Sequence, residues 1–100
     1  KLDDPLMTST LLFHRGYIRT SRRQWDAACN DFDRSLEILR GIDMPTRLGQ
    51  WLIEIAEVYV DHGEVNQARA LLDEAYDIAS RIGHQKLLEK VAENRERLCA

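Results

Sequence analysis

Proline and glycine are scarce in this chain, with two prolines and five glycines in one hundred residues. Linker-like and low-complexity segments are therefore absent, and little interrupts a helix. Strand-favouring residues do not gather anywhere along it. No apolar run approaches the ~18 residues of a membrane span, and no signal-peptide pattern opens it, so no membrane partner is expected. The two cysteines, Cys29 and Cys99, are too few and too far apart for a disulfide framework. Cys29 stands beside Ala27 and Ala28 and reads as a small core hydrophobe, and this usage suits a reducing, cytoplasmic setting. The three histidines, His14, His62 and His84, lie at no metal-ligand spacing from one another or from a cysteine. His62 before Gly63 and His84 after Gly83 instead suit helix ends. No GxSxG, HExxH or phosphate-cradling glycine loop occurs. Ser9, Ser21, Ser35 and Ser80 have no base at a telling spacing. The acidic residues are interleaved with Lys and Arg, as on solvated helix faces. The expectation is a chain without catalytic residues, cofactor or metal.

What is present is a composition 44% hydrophobic and 31% charged, in a length that fits one small domain with a modest core. The net charge of −3 argues against nucleic acid, but it is unevenly spread. Lys1, Arg15, Arg19, Arg22 and Arg23 outweigh Asp3 and Asp4 in the first quarter, whereas the remainder is acidic. The chain begins with Lys1 rather than Met, as a processed product or a piece of a longer protein does.

Five helices can be drawn. Asp4 offers an N-cap and Pro5 a first helical position, opening a helix to about Thr20. Ser21, Arg22 and Arg23 form a turn, and a second helix runs from about Gln24 to Arg40, with Gly41 as its cap. Asp43 and Pro45 open a third, which ends at Gly63. A fourth spans about Val65–Ile82 and stops at Gly83, and a fifth spans about His84–Leu98.

The organising signal is an internal repeat at a shift of forty residues. Leu12 falls on Leu52, Gly16 on Ala56, Trp25 on Val65, Ala28 on Ala68, Phe32 on Leu72, Ser35 on Ala75 and Ile38 on Ile78. A second shift carries Leu48 onto Leu88, Trp51 onto Val91 and Val58 onto Leu98. A period of this length built from paired helices means a stacked array, since one pair cannot bury both of its apolar faces. Small residues at Gly16, Ala56, Ala28 and Ala68 let paired helices approach closely. Trp25, Phe32, Leu72 and Tyr76 are expected to fill the gaps between successive pairs.

Residues 49–80, GQWLIEIAEVYVDHGEVNQARALLDEAYDIAS, resemble a tetratricopeptide repeat. Leu52, Ile55, Ala56, Tyr59, Gly63, Val65, Ala68, Leu72 and Ala75 fall on the family's signature positions. In residues 9–40, Leu12, Gly16, Trp25, Ala28, Phe32 and Leu36 fit, but Arg15, Arg19 and Arg23 replace the usual Leu, Tyr and Gly. The forty-residue spacing is similar to the long-helix variety of the family. The resemblance implies an all-α, right-handed solenoid of two antiparallel helix pairs, at 5–41 and 45–82, plus a capping helix at 84–98. Glu96 stands where Gly16 and Ala56 stand, so no further helix is expected to pack there. Lys86, Glu89, Lys90, Glu93, Arg95, Glu96 and Arg97 would solvate that end. No comparable cap precedes residue 5. Either further repeats come before it, or that end pairs with a second copy in a homodimer.

The same resemblance implies a protein-interaction module that takes a peptide or helix in a concave groove, as an adaptor or regulatory domain of a larger protein. The alternative is a self-association element of a larger signalling or transcription regulator. The groove would be lined by Thr10, Phe13, Tyr17 and Thr20, then Gln50, Ile53, Glu57 and Val60, then Lys90, Glu93 and Arg97. Phe13, Tyr17 and Ile53 would serve as anchors. Chaperone-binding members grip a terminal carboxylate with Lys, Asn and Arg, and Phe13, Tyr17, Ile53 and Glu57 do not reproduce that clamp. The cluster of Arg15, Arg19, Arg22 and Arg23 makes a weak electrostatic footprint for nucleic acid in an acidic chain. A solvated helix end, where cations are favoured, accounts for it. Arg15 either pairs with an acid or faces a preceding helix.

Overall fold

The computed structural model describes residues 4–99, and all regular structure among them is helical. Helix α1 is Pro5–Ser21, α2 Trp25–Arg40, α3 Pro45–Asp61, α4 Val65–Ile82 and α5 Gln85–Cys99. The odd-numbered helices begin at residues 5, 45 and 85, a recurrence of forty. The Asp4 carboxylate accepts hydrogen bonds from the Leu6 and Met7 N–H groups at 3.0 and 3.4 Å, and Pro5 needs no partner at the first helical position.

The chain divides between Met44 and Pro45 into two compact units. In the first, α1 and α2 run antiparallel. Ser9 Oγ donates to the Ser35 carbonyl at 2.9 Å, and Ser35 Oγ donates to the Ser9 carbonyl at 2.8 Å, both in the interior. Two short side chains thus bring the backbones close and satisfy their own hydroxyls. Two turns further along, Gly16 faces Phe32, and a Cβ on Gly16 would lie only 2.6–2.9 Å from three atoms of the ring. Phe32 is fully buried, with the rings of Phe13 and Tyr17 meeting it edge-on at 6.3 and 5.5 Å. The sequence reading put Phe32 between successive pairs. The ring instead fills its own pair, because the missing side chain of Gly16 leaves a recess there.

In the second unit, Leu52, Ile55 and Ala56 of α3 form the core with Ala68, Leu72, Ala75 and Ala79 of α4. Helix α5 adds Leu87 and Val91 to that interior. It runs parallel to α3, as Leu87 lies against Gly49, Asn94 reaches Glu57 at 3.1 Å and Arg97 reaches Asp61 at 3.4 Å. It is tied to α4 by Arg95, which pairs with Asp73 at 2.8 Å and lies over the Tyr76 ring at 4.8 Å.

The α1–α2 and α3–α4 turns are built alike. The Gln24 N–H donates to the Arg19 carbonyl at 2.8 Å, and the Glu64 N–H to the Tyr59 carbonyl at 2.9 Å. Each turn needs one left-handed residue, supplied by Gly63 at φ 77° and by Arg23 at φ 61°. A side chain in that region is strained, and glycine is not. Arg23→Gly is therefore expected to raise stability by about 0.5–1 kcal/mol, read as a higher urea midpoint at unchanged slope. A lower midpoint would mean that the Arg23 side chain makes a compensating contact.

Candidate functional site

The eleven residues expected to line a groove lie on α1, α3 and α5. On α1, the Thr10 and Thr20 hydroxyls donate back to the Leu6 and Gly16 carbonyls, both at 2.8 Å, so they serve their own helix. Phe13 is buried, its ring 5.1 Å from that of Tyr17 and 5.6 Å from His14. Tyr17 is half-buried. The surface that this set leaves on α1 is therefore the outer part of Tyr17 rather than Phe13.

In the second unit α3 and α5 lie side by side, so their residues share a face. Gln50, Lys90, Glu93 and Arg97 are exposed, Glu57 and Val60 half-buried, and Ile53 buried. Glu57 accepts from Asn94 Nδ2, which also donates to the Lys90 carbonyl at 3.0 Å. Asn94 is buried between these helices and was not foreseen. The signal for it was weak: a lone Asn among the charges of α5. Its Oδ1 is the one buried side-chain polar atom without a partner among the described residues. The face thus carries half-buried Val60 with two cations and two carboxylates.

The arginine cluster is partly accounted for. Arg15 Nε and Nη2 donate to the two carboxylate oxygens of Asp31 at 2.9 and 2.8 Å, and Arg19 Nη1 donates at 3.1 Å. The Asp31 side chain is 5% exposed, whereas that of Arg15 is 53% exposed. The Arg15 hydrogen bonds hold the Asp31 carboxyl below its ordinary pKa; burial opposes this, and the charges of Arg15 and Arg19 assist it. Arg22 and Arg23 stay exposed at the end of α1. Glu96 is exposed on α5. His84 accepts the Leu87 N–H at 3.2 Å as a cap of α5. No group of three His, Cys, Asp or Glu able to hold a metal occurs among the described residues.

The family profile described as tetratricopeptide repeat matches residues 7–81, three quarters of the length. The chain belongs to the tetratricopeptide repeat family. No curated protein and no solved structure matched it. Tetratricopeptide repeats are as a rule non-catalytic protein-interaction modules. In these terms the α1–α2 repeat is the unusual one. The positions of Arg15, Arg19 and Asp31 are held forty residues later by Ile55, Tyr59 and Leu71, and Ile55 and Tyr59 are buried. An ion triad thus stands in the α1–α2 repeat at positions that hold Ile, Tyr and Leu in the α3–α4 repeat. No helix among the described residues is long and apolar enough to cross a membrane.

Proposed function

We propose that this chain is a non-catalytic docking module, an adaptor or regulatory part of a larger protein, that binds a peptide or helix along the face shared by α3 and α5. The observation that supports the reading is the parallel pairing of α3, which carries Gln50, Glu57 and Val60, with α5, which carries Lys90, Glu93 and Arg97. Two cations and two carboxylates on one face orient a partner of mixed charge, while Val60 offers apolar contact. Ile53 contributes by shaping the interior beneath this face, since it is buried. Charge reversal at exposed positions leaves the core untouched. Lys90→Glu with Arg97→Glu is expected to weaken partner capture at least tenfold with an unchanged helical circular dichroism spectrum. Equal capture of the same partners by both proteins would remove the α3–α5 face from the reading.

A second reading is self-association through α1. One specific observation favours it: Met7, Leu11 and Ile18 are large apolar side chains left more than half exposed.

A further inference from the structure

The buried face of α5 carries Leu87, Val91, Asn94 and Leu98. The first three are 4%, 0% and 3% exposed, and Leu98 is half-buried. Eighty residues earlier, the same register of α1 carries Met7, Leu11, His14 and Ile18. There Met7 is 61% exposed, Leu11 64% and Ile18 52%, and His14 is exposed as well. The stripe lies on the side of α1 opposite Ser9, Phe13 and Gly16, which face the interior. One register of the repeat is thus a helix-docking face, covered on α5 and open on α1.

We infer that two copies of this chain pair through these stripes, α1 against α1 in antiparallel two-fold contact. The inference rests on the self-association reading and names its surface, register and symmetry. Steps of four, three and four residues keep Met7, Leu11, His14 and Ile18 on one seam along three turns, the spacing by which helices pack on helices. Antiparallel pairing centred between Leu11 and His14 sets Met7 against Ile18 of the second copy and Leu11 against its His14. It also brings Asp4, exposed at the start of α1, to the exposed Arg22 and Arg23 at the end of the other α1, and opposes the two helix dipoles. Parallel pairing would instead place Arg22 and Arg23 of the two copies together. A contact of this kind closes on itself and stops at two. Three large side chains on each side fall short of the ~800 Å² per partner of a standard interface. The pairing is therefore weak, with a dissociation constant on the order of 100 µM.

Sedimentation equilibrium of the whole chain from low micromolar to millimolar concentration tests this. A monomer–dimer equilibrium is expected, and Leu11→Glu with Ile18→Glu should weaken it at least tenfold. Both substitutions are at exposed positions, so circular dichroism and the thermal midpoint should hold. A chain monomeric across the whole range overturns self-association and the stripe together. A dimer that persists in the double variant overturns the stripe alone. Geometry is read separately, in a Cys29→Ser, Cys99→Ser background. Met7→Cys with Ile18→Cys should oxidise to a covalent dimer and Met7→Cys alone should not. Crosslinking by Met7→Cys alone overturns the antiparallel register.

Discussion

Replacing Phe32 by alanine is expected to cost about 3–5 kcal/mol of unfolding free energy. The ring is fully buried, and it fills the recess over Gly16 against the edges of Phe13 and Tyr17. No small side chain can hold those three partners apart, and a chain of this size has about 5–15 kcal/mol in all. The urea midpoint should fall sharply at constant slope, with amide exchange rising first across α1 and α2. A shift worth less than about 1 kcal/mol would show that the recess collapses freely and that Phe32 is not what sets the spacing of the pair. The complementary change is informative. Gly16→Ala gains about 0.5–1 kcal/mol of helix preference but drives a methyl into the ring, and overpacking of that kind costs about 1–3 kcal/mol. The second pair meets the same problem with Ala56 and Leu72. Gly16→Ala combined with Phe32→Leu should therefore be more stable than either change predicts by addition.

Those same residues show what could be read from the sequence and what could not. The helices were legible because their punctuation is local: Asp4–Pro5 and Pro45 at starts, Gly63 and Gly83 at ends. The repeat was legible because it needs only comparison of the chain with itself. That Phe32 packs onto Gly16 of its own pair was not legible, since the two residues are sixteen apart and their contact depends on how their helices are set against each other in depth. Asn94 was missed for the same reason. Its burial follows from the closeness of α5 to α3 at Gly49 and Leu87, and no local pattern in α5 encodes that distance. Among the groove positions, the family resemblance put Phe13 and Ile53 on a face but said nothing of the depth to which each is covered. Arg15 was recognised as out of place. Its partner was not, because Asp31 lies on the opposite helix and is one acid among seventeen.

Asp31→Asn is expected to cost about 1–2 kcal/mol at neutral pH. It weakens three charge-assisted hydrogen bonds to a buried carboxylate, but the half-exposed Arg15 recovers water, which limits the loss. The effect is tied to pH in a definite direction. The folded carboxyl titrates below its ordinary value, and the unfolded one near ~3.9. The stability it contributes is therefore complete above about pH 4 and is lost as pH falls through the folded value. Urea unfolding between about pH 7 and 2 should show the wild-type and Asp31→Asn curves converging only at the acid end. A constant gap down to pH 2 would mean that the loss is one of packing and not of charge. The triad also admits a sharper trial. Desolvating an ion pair offsets much of its attraction, and apolar replacement of the whole group is often neutral or stabilising. Arg15→Ile, Arg19→Tyr and Asp31→Leu together install the residues of the second pair, Ile55, Tyr59 and Leu71. The triple variant should equal or exceed the wild type in stability while Asp31→Asn alone falls below it. In that case stability does not account for the triad. A triple variant less stable than Asp31→Asn would make the ion triad the structural seam of the first repeat.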